Sequence, residues 1–476
     1  MPVKTELTDI VGSERVSDAP DVLEKYSRDY SMVQPRLPDC VVYARNTEEI
    51  QKVVRFARDR SIPVIPRSSG IGFYGAGIPG EGGIILDLTG MNRILEIDEK
   101  DRKVKVEPGV TWSQLQKELE KHGMMVCNPL LPHPLKSVLT SAMERESGLI
   151  PKYEYNETFL TAEMVLPTGE MFWTGTAIGK GHTGKSNPEG VIPSTRLFLG
   201  SQGTLGIATW ANLRAVYLPT VSKLFFIPLN KAEDIVEPAY QILRVRLGNE
   251  FLVLNSLNLA SMLAGDAAEL NTLKEKLPPY TIVLCLSGLH RYPEDKIAYE
   301  EEALTAISSR EHFDLCRTVA GIPDLAEKMV KLLRQPWAED KWWKFRYKGR
   351  RHDVFFHTTM DRIPEFTQAM SEVAEKHHYP AGDISIYIQP KEQGRVCYAE
   401  FGFYCDPDNT AECNTVQELF LAASEVAMGM GGLFTNPYGP WANMVYNRAA
   451  SYTDTLKLLK GILDPANIMN PGKLCF

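Results

Sequence analysis

Residues 61–77 read SIPVIPRSSGIGFYGAG, a short apolar strand that runs into a glycine-rich loop. The glycines allow positive φ angles and a close approach of the backbone to another group. Consecutive N–H groups, with the hydroxyls of Ser68 and Ser69 beside them, form a concave surface suited to a phosphate or pyrophosphate. The loop lacks the Gly-Lys-Ser/Thr ending of a Walker A motif, and no helical pattern follows it, as a Rossmann motif would require. A mobile surface loop is the alternative interpretation.

The chain around this loop predicts alternating strands and helices. A buried strand at 40–43 precedes a helix that begins at the N-cap Thr47 and ends near Arg60. The pattern then predicts strands at 83–88, 94–98 and 103–109, a helix at 112–122, a β-hairpin at 159–174 that turns at 167–169, an exposed loop at 175–194, and strands from 206 to about 219. Two further small-residue segments, 137–148 and 200–206, resemble the loop in composition.

The pattern of predicted secondary structure changes near residue 219, where strand-like runs begin to alternate with long helical stretches. Such a pattern is typical of an independent α+β domain. We therefore predict a first domain over residues 1–218 with a helical lead-in at 1–35, a second domain over 219–430, and a C-terminal segment over 431–476.

The composition limits the classes of function. The chain has 476 residues, 44% of them hydrophobic, and a net charge of −8, which makes nucleic acid an improbable partner. At roughly 150 residues per domain, two or three domains are expected. No apolar run is long enough to span a bilayer, and the N-terminus lacks the apolar segment of a secretory signal. The eight cysteines form no CxxC pair, so we predict a reducing, cytoplasmic location and no cysteine-ligated metal.

Five motifs occur in an order that resembles one flavoprotein superfamily. They are residues 41–70, residues 83–115, VLPTGE at 165–170, GSQGTLGI at 200–207 and DPANIMNPGKLCF at 464–476. In these motifs the chain is similar to the vanillyl-alcohol oxidase / p-cresol methylhydroxylase superfamily of FAD-dependent oxidoreductases. The resemblance covers about 35–218 and 450–476 well and 219–450 weakly. It implies an α+β fold, with a two-part FAD-binding domain of the p-cresol methylhydroxylase type and a cap domain that contains an antiparallel sheet.

The resemblance also implies which residues hold FAD. The loop at 66–77 would hold the pyrophosphate, the segment 137–148 would follow the diphosphate and ribityl chain, and the segment 200–207 would pack against the isoalloxazine or adenine. The implied cofactor-binding residues are Pro66, Arg67, Ser68, Ser69, Gly70, Ile71, Gly72, Ser137, Thr140, Ser141, Met143, Arg145, Gly148, Gly200, Gly203, Thr204, Gly206, Ile207 and, in the segment that returns to the FAD domain, Lys473.

Two departures from the family pattern bear on function. Members with a flavin-linked histidine in the first loop carry it where this chain has Ile71, whose alkyl side chain has no nucleophile. A tether from the cap would use Tyr398, and the alternative is a packed strand tyrosine. The paired-histidine zinc motif of the 2-hydroxy-acid dehydrogenases is replaced by residues 380–387, with proline and tyrosine at the two ligand positions. We therefore predict no metal, and we interpret His377 and His378 as surface histidines at a helix end.

The remaining comparison with the family favours the phenol-oxidising branch in part. Arg145 and Gly148 match its pattern, and the cap strands around 386–407 resemble it. However, the Tyr-Arg pair that holds a phenolate in those enzymes is missing, with Leu433 and Phe434 near its expected place.

The cap strands supply candidates for chemistry. The catalytic candidates are His357, Tyr387, Arg395, Tyr398 and Glu400. Tyr398 and Glu400 share one face of a strand, and an imidazole with a pKa near 6.5 suits proton transfer. The alternatives are a hydrogen-bonded sheet histidine for His357 and a solvated turn arginine for Arg395. The basic and aromatic run at 341–352 is interpreted as an entrance for an anionic substrate or a docking face for an electron acceptor, against a plain solvated turn.

These observations predict an FAD-dependent dehydrogenase or oxidase. It takes hydride from a C–H bond of a small aromatic, 4-alkylphenol-type or alcohol substrate onto flavin N5. The alternatives are a metal-free 2-hydroxy-acid dehydrogenase that passes electrons to a redox partner, and a non-catalytic flavin-binding subunit of a redox complex. The electron acceptor would be oxygen, a cytochrome or an electron-transfer flavoprotein, and a homodimer is common in the family that the chain resembles.

Overall fold

The computed structural model of the protein describes residues 2–151, 158–179 and 194–476. Its α-helices are α1 Pro2–Val11, α2 Pro20–Tyr26, α3 Thr47–Asp59, α4 Trp112–Glu120, α5 Val138–Met143, α6 Thr195–Phe198, α7 Val236–Arg244, α8 Ser256–Leu263, α9 Ala267–Lys276, α10 Pro293–Glu311, α11 Leu325–Arg334, α12 Ile363–Lys376, α13 Thr410–Gly429, α14 Trp441–Tyr446 and α15 Ala450–Leu463. None of these described helices combines the length and the apolar character that a membrane crossing needs.

The strands form three sheets. They are β1 Val16–Ser17, β2 Cys40–Tyr43, β3 Val64–Arg67, β4 Ile84–Asp87, β5 Ile94–Asp98, β6 Lys103–Val106, β7 Met124–Val126, β8 Phe159–Val165, β9 Met171–Trp173, β10 Ile207–Tyr217, β11 Val221–Leu229, β12 Glu250–Asn255, β13 Tyr280–Gly288, β14 Arg350–Thr358, β15 Ser385–Lys391 and β16 Val396–Cys405. The predicted loop at 175–194 lies mostly outside the described residues.

The first sheet places the glycine-rich loop. Its strand order is β1-β2-β4-β3, and β2, β4 and β3 run parallel. Helix α3 joins β2 to β3 and buries its apolar side chains against the sheet. Its N-cap is Asn46, whose side chain accepts the N–H of Glu49, so the prediction of Thr47 as the cap was wrong by one residue. The glycine-rich loop leaves the end of β3, where neighbouring parallel strands also end.

The second sheet supports the two other small-residue segments. Its order is β5-β6-β10-β8-β9, with β7 paired to β10, and all of its pairs are antiparallel. The predicted hairpin is β8–β9. The segment 137–148 contains the short helix α5, which is capped by Ser137 because its Oγ accepts the N–H of Thr140. The segment 200–206 leads directly into β10.

The third sheet is the antiparallel sheet that the family resemblance implied for the cap. Its order is β11-β13-β12-β15-β16-β14, and helices α7, α10, α12 and α13 cover one face while α8, α9 and α11 pack on the other. The second face also contacts Leu130, Leu131 and Leu149 of the first half of the chain. The predicted α+β class with this antiparallel sheet is confirmed. The domain boundaries at 218 and 430 stay a prediction.

The sheet and the C-terminal residues are hydrogen-bonded to the first half of the chain. The N–H of Phe251 donates to Leu149 O at 3.2 Å, and Gln389 Nε2 donates to the same carbonyl at 3.4 Å. At the other end, the N–H of Asn470 donates to Val64 O at 2.9 Å, beside the glycine-rich loop. These bonds fix the sheet and the C-terminus on either side of that loop.

Candidate functional site

The three small-residue segments lie next to one another. Ser68 Oγ is 2.6 Å from Thr140 Oγ1, which links the glycine-rich loop to α5. The N–H of Ser137 donates to Ser69 Oγ at 3.0 Å. The third segment joins them, because the Cβ of any larger residue at Gly203 would lie 2.5 Å from Pro66 Cγ. Glycine at 203 therefore permits this close approach of two loops.

The three segments enclose a cleft of about 890 Å³. The predicted cofactor residues that line it are Pro66, Arg67, Ser68, Ser69, Gly70, Ile71, Gly72, Thr140, Met143, Gly200, Gly203, Gly206 and Ile207. A concave surface with a few convergent polar groups is the usual form of a site for a small ligand or cofactor. The sequence motifs thus point to residues that share one concave surface.

Four predicted cofactor residues do not line the cleft: Ser137, Ser141, Gly148 and Thr204. The first two use their hydroxyls within the protein. Ser137 Oγ donates to Pro108 O at 2.6 Å, and Ser141 Oγ accepts the indole N–H of Trp112 at 3.0 Å. These residues support the cleft, and the structure gives them no direct access to a ligand in it.

Lys473 is also outside the cleft and lines a neighbouring pocket. Burial lowers the pKa of its ammonium group to about 8, and Asp29 offsets part of that effect. Asn470, three residues earlier in the same returning segment, connects that segment to the loops that form the cleft. Its Nδ2 donates to Ala76 O at 2.9 Å and to Gln202 O at 2.6 Å, so it joins two of the cleft-forming segments.

The cleft presents polar groups that the protein leaves without partners. Both amide atoms of the Gln202 side chain are buried and have no hydrogen-bond partner in the described part of the chain. The same is true of Tyr438 Oη, which also faces the cleft. Buried polar atoms normally have partners, so these groups fit a ligand with many polar atoms, such as a dinucleotide. No sequence pattern marks Tyr438 as a site residue, whereas Gln202 lies inside the GSQG segment.

A second cavity, of about 1300 Å³, meets the cleft at Tyr438, which lines both. We call it the aromatic cavity, because its walls carry many rings: Tyr74, Trp342, Trp343, Phe345, Phe355, Tyr387, Tyr398, Phe420, Tyr438 and Trp441. Tyr398 is central among those on the sheet, with its ring centroid 5.4 Å from that of Phe355 and 5.8 Å from that of Tyr387. Such walls suit a flat apolar ligand.

One end of the aromatic cavity holds a buried network of ion pairs. Lys344 Nζ lies 2.7 Å from both Asp353 Oδ2 and Glu400 Oε1, and the guanidinium of Arg351 contacts the same two carboxylates. Tyr398 Oη donates to Glu400 Oε2 at 2.6 Å. Burial lowers the pKa of Arg351, but the interactions with Asp353, Tyr404 and Glu400 together outweigh it and the net shift is upward. The network therefore contains two cations and two anions that neutralise each other.

This network bears on residues 341–352, whose interpretation as an entrance for an anionic substrate or a docking face for an electron acceptor stays a prediction. The side chains of Lys344 and Arg351 are only 13% and 1% exposed, and both point to carboxylates inside the fold. Trp343 is fully buried in the same segment. Residues that look like a solvated basic stretch in the sequence thus form an inner wall of the cavity.

The fold matches solved flavoproteins. The structure of p-cresol methylhydroxylase with substrate bound superposes with a TM-score of 0.87 at 18% identity, covering 100% of this chain and 96% of that one. The 4-ethylphenol oxidase from Gulosibacter chungangensis gives a TM-score of 0.83 at 19% identity, over 99% and 96% of the two chains. In sequence, the family model "FAD binding domain" matches residues 38–175 and "FAD linked oxidases, C-terminal domain" matches residues 358–474. Together the two models match more than half of the 476 residues. This chain belongs to the FAD-linked oxidases, and it has the fold of p-cresol methylhydroxylase.

Two relatives whose sequences align with nearly the whole of this chain are named for hydroxy acids. The glycolate oxidase subunit GlcD of Bacillus subtilis (strain 168) is 27% identical over 99% of this chain and 96% of its own. A probable mitochondrial D-lactate dehydrogenase of Danio rerio is 27% identical over 99% and 91%. The protein is an FAD-linked oxidoreductase, and the predictions of family, enzyme class and cofactor are confirmed.

Among the catalytic candidates of this flavoprotein, Tyr387, Tyr398, Glu400 and His357 all line the aromatic cavity. They share one face of the sheet because they are direct cross-strand neighbours, Tyr387 opposite Glu400 and His357 opposite Tyr398. Burial raises the pKa of both tyrosines well above the usual value, so their phenols stay protonated hydrogen-bond donors. The hydroxyl of Tyr387 donates a hydrogen bond to Gln389 Oε1 at 2.9 Å.

Arg395 is a catalytic candidate that the structure does not bring to the site. It is exposed in the turn between β15 and β16 and does not line the aromatic cavity. The turn carries it past the end of the strand face on which Tyr398 and Glu400 lie.

The Tyr-Arg pair missing at Leu433 and Phe434 has a counterpart elsewhere. Leu433 is 62% exposed and Phe434 is packed in the core of the cap sheet. By contrast, Arg145 Nη2 and Tyr438 Oη lie 3.1 and 3.3 Å from the position that a Cβ on Gly200 would occupy. An arginine and a tyrosine from distant segments thus stand side by side where the cleft meets the aromatic cavity, which sequence spacing alone could not indicate.

His357 does not titrate where the sequence analysis expected. Burial, followed by the nearby cations Lys391 and Arg145, lowers its pKa to about 3. Its imidazole is therefore neutral at physiological pH, so the pKa near 6.5 that favoured it for proton transfer does not hold in this fold, and its role as a catalytic residue stays a prediction. It remains available as a neutral hydrogen-bonding group of the cavity wall.

The shifted pKa of His357 predicts an acid-sensitive fold. The unfolded state takes up a proton near pH 6.5 and the folded state does so only near pH 3, so the free energy of unfolding falls as the pH drops between these values. At about pH 4.5 the loss from this group is on the order of 2 kcal/mol. Urea unfolding at pH 7 and 4.5 will show that the free energy of unfolding decreases less between these pH values in His357→Asn than in the wild type. Equal losses in the two proteins would contradict the shift.

Proposed function

We propose that this flavoprotein oxidises a small aromatic substrate, of the 4-alkylphenol or aromatic-alcohol type, at a C–H bond in the aromatic cavity. The observation that carries the proposal is the junction at Tyr438, where a cavity walled by aromatic rings opens on the FAD cleft. Rings prefer stacked or edge-to-face contact with other rings, which orients a flat substrate without a charged anchor.

The residues at the junction suit the charge that develops during oxidation. FAD, when bound, supplies the acceptor for the hydride. Arg145 provides a cation and Tyr438 an unused hydroxyl, so together they can stabilise a phenolate or alkoxide oxygen. We infer that the thirteen predicted residues lining the cleft, with Gln202, hold the cofactor.

The proton of an alcohol substrate needs a different group. The hydrogen-bonded pair of Tyr398 and Glu400 offers a path, since Tyr398 can accept a proton from the substrate as its own passes to Glu400 Oε2. Arg351 and Lys344 hold the other oxygen of Glu400 and fix its orientation. Tyr398 and Glu400 are therefore the catalytic residues of the proposal.

A substrate screen tests the proposed function. The FAD-loaded enzyme is mixed anaerobically with 4-ethylphenol, vanillyl alcohol, lactate or glycolate, and loss of the flavin absorbance band is followed. We expect 4-ethylphenol or vanillyl alcohol to bleach the flavin. In Tyr398→Phe, the rate of flavin reduction by vanillyl alcohol should fall about a hundredfold, because the proton transfer is lost. Bleaching by lactate and glycolate alone would overturn the proposal. Flavin that remains on the denatured wild-type chain, and is released from Tyr398→Phe, would identify a covalent tether.

A metal-free 2-hydroxy-acid dehydrogenase is the second candidate. The two relatives named for glycolate and D-lactate, each aligned over more than nine-tenths of both chains, favour it. Arg145 would then bind the substrate carboxylate. The same screen separates the candidates, and activity with lactate that survives a chelator would support the metal-free form.

Further proposals concern organisation and partners. We infer an FAD-binding domain at 1–218, a cap at 219–430 and a returning segment at 431–476, supported by the third sheet at 221–405 and by the contacts of Asn470. All eight cysteines are free, which supports a cytoplasmic location. Oxygen, a cytochrome or an electron-transfer flavoprotein would reoxidise the flavin, and gel filtration tests whether the enzyme is a homodimer.

A further inference from the structure

Two cysteines that lie close in the chain are also in contact in the fold. Cys405 is the last residue of β16, and Cys413 is the fourth residue of α13. The sulfur of Cys413 lies 2.9 Å from the sulfur of Cys405, and both thiols are free. A disulfide can form only between cysteines that the fold already holds close together. Cys405 and Cys413, which we call the thiol pair, meet that condition.

The turn between the two cysteines holds them in place. The N–H of Asn409 donates to Asp406 O at 3.0 Å, and Asn409 Oδ1 accepts the N–H of Glu412 at 3.1 Å, which caps the start of α13. Glu412 Oε2 also accepts the N–H of Asp406 at 3.1 Å. These bonds close the turn from both sides, so the two thiols stay together without a covalent link.

Ion pairs attach the same turn to the rest of the cap sheet. Lys348 Nζ lies 2.9 Å from Glu412 Oε1 and 3.2 Å from Asp383 Oδ2. Lys348 is two residues before β14, which pairs with β16 and places Arg350 opposite Cys405. Because the fold fixes both members of the thiol pair, a bond between them costs little further conformational entropy.

The two thiols differ in their access to solvent. Cys405 is fully buried, whereas Cys413 is half-buried. Burial, followed by the hydrogen bond with Cys413, raises the pKa of Cys405, so this thiol stays protonated at neutral pH. The sulfur of Cys413 also lies 3.2 Å from Asp406 O, in an exposed turn. A dissolved oxidant can therefore reach Cys413 before Cys405.

We propose that the thiol pair is a reversible oxidation site, at which hydrogen peroxide converts the two thiols to a disulfide between β16 and α13. The Cys413 sulfur attacks the peroxide, becomes a sulfenic acid and releases one water. The Cys405 sulfur then attacks the Cys413 sulfur, which forms the S–S bond and releases the sulfenic oxygen as a second water. Two thiols are oxidised while one peroxide is reduced to two waters, and a dithiol reductant reverses the change.

This disulfide would restrain the start of α13 against the sheet. Further along the same helix, the ring of Phe420 lines the aromatic cavity and stacks on Trp441 at 5.3 Å between centroids. Disulfides of reducing compartments are usually transient and respond to oxidants, which agrees with the proposed cytoplasmic location. The inference goes beyond the proposed function, because it concerns the oxidation of the protein itself and its test needs no substrate.

Peptide mapping tests the oxidation site on the full chain. The protein is treated with an equimolar amount of hydrogen peroxide, denatured, alkylated and cleaved after glutamate. Cleavage after Glu412 separates residues 401–412, which contain Cys405, from residues 413–418, which contain Cys413. We expect the two peptides to stay joined until dithiothreitol is added. Two of the eight cysteines should escape alkylation, so that six react.

Three variants locate the chemistry. Cys413→Ser should abolish the joined peptides and leave Cys405 open to alkylation after peroxide treatment. Cys405→Ala should leave a sulfenic acid on Cys413, which dimedone traps. Cys316→Ser, which replaces another half-buried free cysteine, should form the joined peptides as the wild type does. Trapping of dimedone at Cys405 in Cys413→Ser would contradict the order of the two steps.

Hydrogen exchange measures the restraint on α13. The amides of residues 410–413 should exchange at least about tenfold more slowly in the oxidised wild type than in the reduced one, and peroxide should not change them in Cys413→Ser. Separate peptides with eight alkylated cysteines, or a disulfide from either member of the pair to a different cysteine, would overturn the site. Joined peptides with unchanged exchange would overturn the restraint. The wild-type measurements decide both points if a variant does not fold.

Discussion

Ser69→Glu will produce a colourless protein that no longer retains FAD. Ser69 lines the cleft, and its Oγ accepts the N–H groups of Ser137 and Ile71. A carboxylate there would face the diphosphate that this loop is proposed to hold. Two charges about 4 Å apart repel by up to about 4 kcal/mol in partly buried surroundings, so we expect the affinity for FAD to fall on the order of a hundredfold or more. Titration of the apoprotein with FAD, followed by quenching of flavin fluorescence, measures the effect.

The control for this variant is Ser69→Gln. Glutamine has nearly the same size and removes the same hydroxyl, and it adds no charge. We expect it to weaken FAD binding about tenfold at most. If the two variants lose FAD to the same extent, the loss comes from shape, and the diphosphate does not lie beside Ser69.

Arg351→Met will destabilise the protein by about 3 kcal/mol, because it leaves buried carboxylates without their main partner. The side chain of Arg351 is 1% exposed and contacts Asp353 and Glu400, whose own exposed fractions are 20% and 5%. Lys344 remains to compensate one negative charge, which keeps the loss at the lower end of the range for broken buried pairs. Chemical denaturation followed by circular dichroism measures the change in the free energy of unfolding.

Two further variants show whether charge is the cause. Arg58→Met removes an arginine from an exposed pair with Asp59 and should cost no more than about 1 kcal/mol. Adding Glu400→Gln to Arg351→Met leaves Lys344 paired with Asp353, so the double variant should be more stable than the single one. A double variant that is less stable would mean that Arg351 acts through packing, for example on Trp343.

The sequence predicted those parts of the molecule that local patterns determine. The strand at 64–67 and the glycine-rich loop after it are encoded within a dozen residues, and the hairpin β8–β9 is encoded by its turn at 167–169. That the glycine-rich loop lies next to the segments 137–148 and 200–206 was predicted from the resemblance to a family, because no local pattern indicates it. The fit of Gly203 against Pro66 shows why only a glycine at 203 allows it.

The inner surfaces could not be predicted in the same way. Lys344 and Arg351 look solvated in the sequence, and only the pairing of β14 with β16 brings Arg351 to Glu400. Likewise, Arg145 and Tyr438 are 293 positions apart in the chain and meet beside Gly200 through tertiary contacts. The pKa of His357 depends on burial and on two cations from other elements, so its residue type alone suggested the wrong protonation state.

The contacts of Asn470 have a consequence for biosynthesis. Asn470, which clamps the glycine-rich loop to the turn at Gln202, lies 394 positions beyond its partner Ala76. Domains generally fold as the nascent chain leaves the ribosome, N-terminal part first. Here the binding surface stays incomplete until residue 470 has left the exit tunnel. Cofactor capture therefore has to wait until the whole cap has been synthesised, although most of the residues that line the cleft emerge long before it.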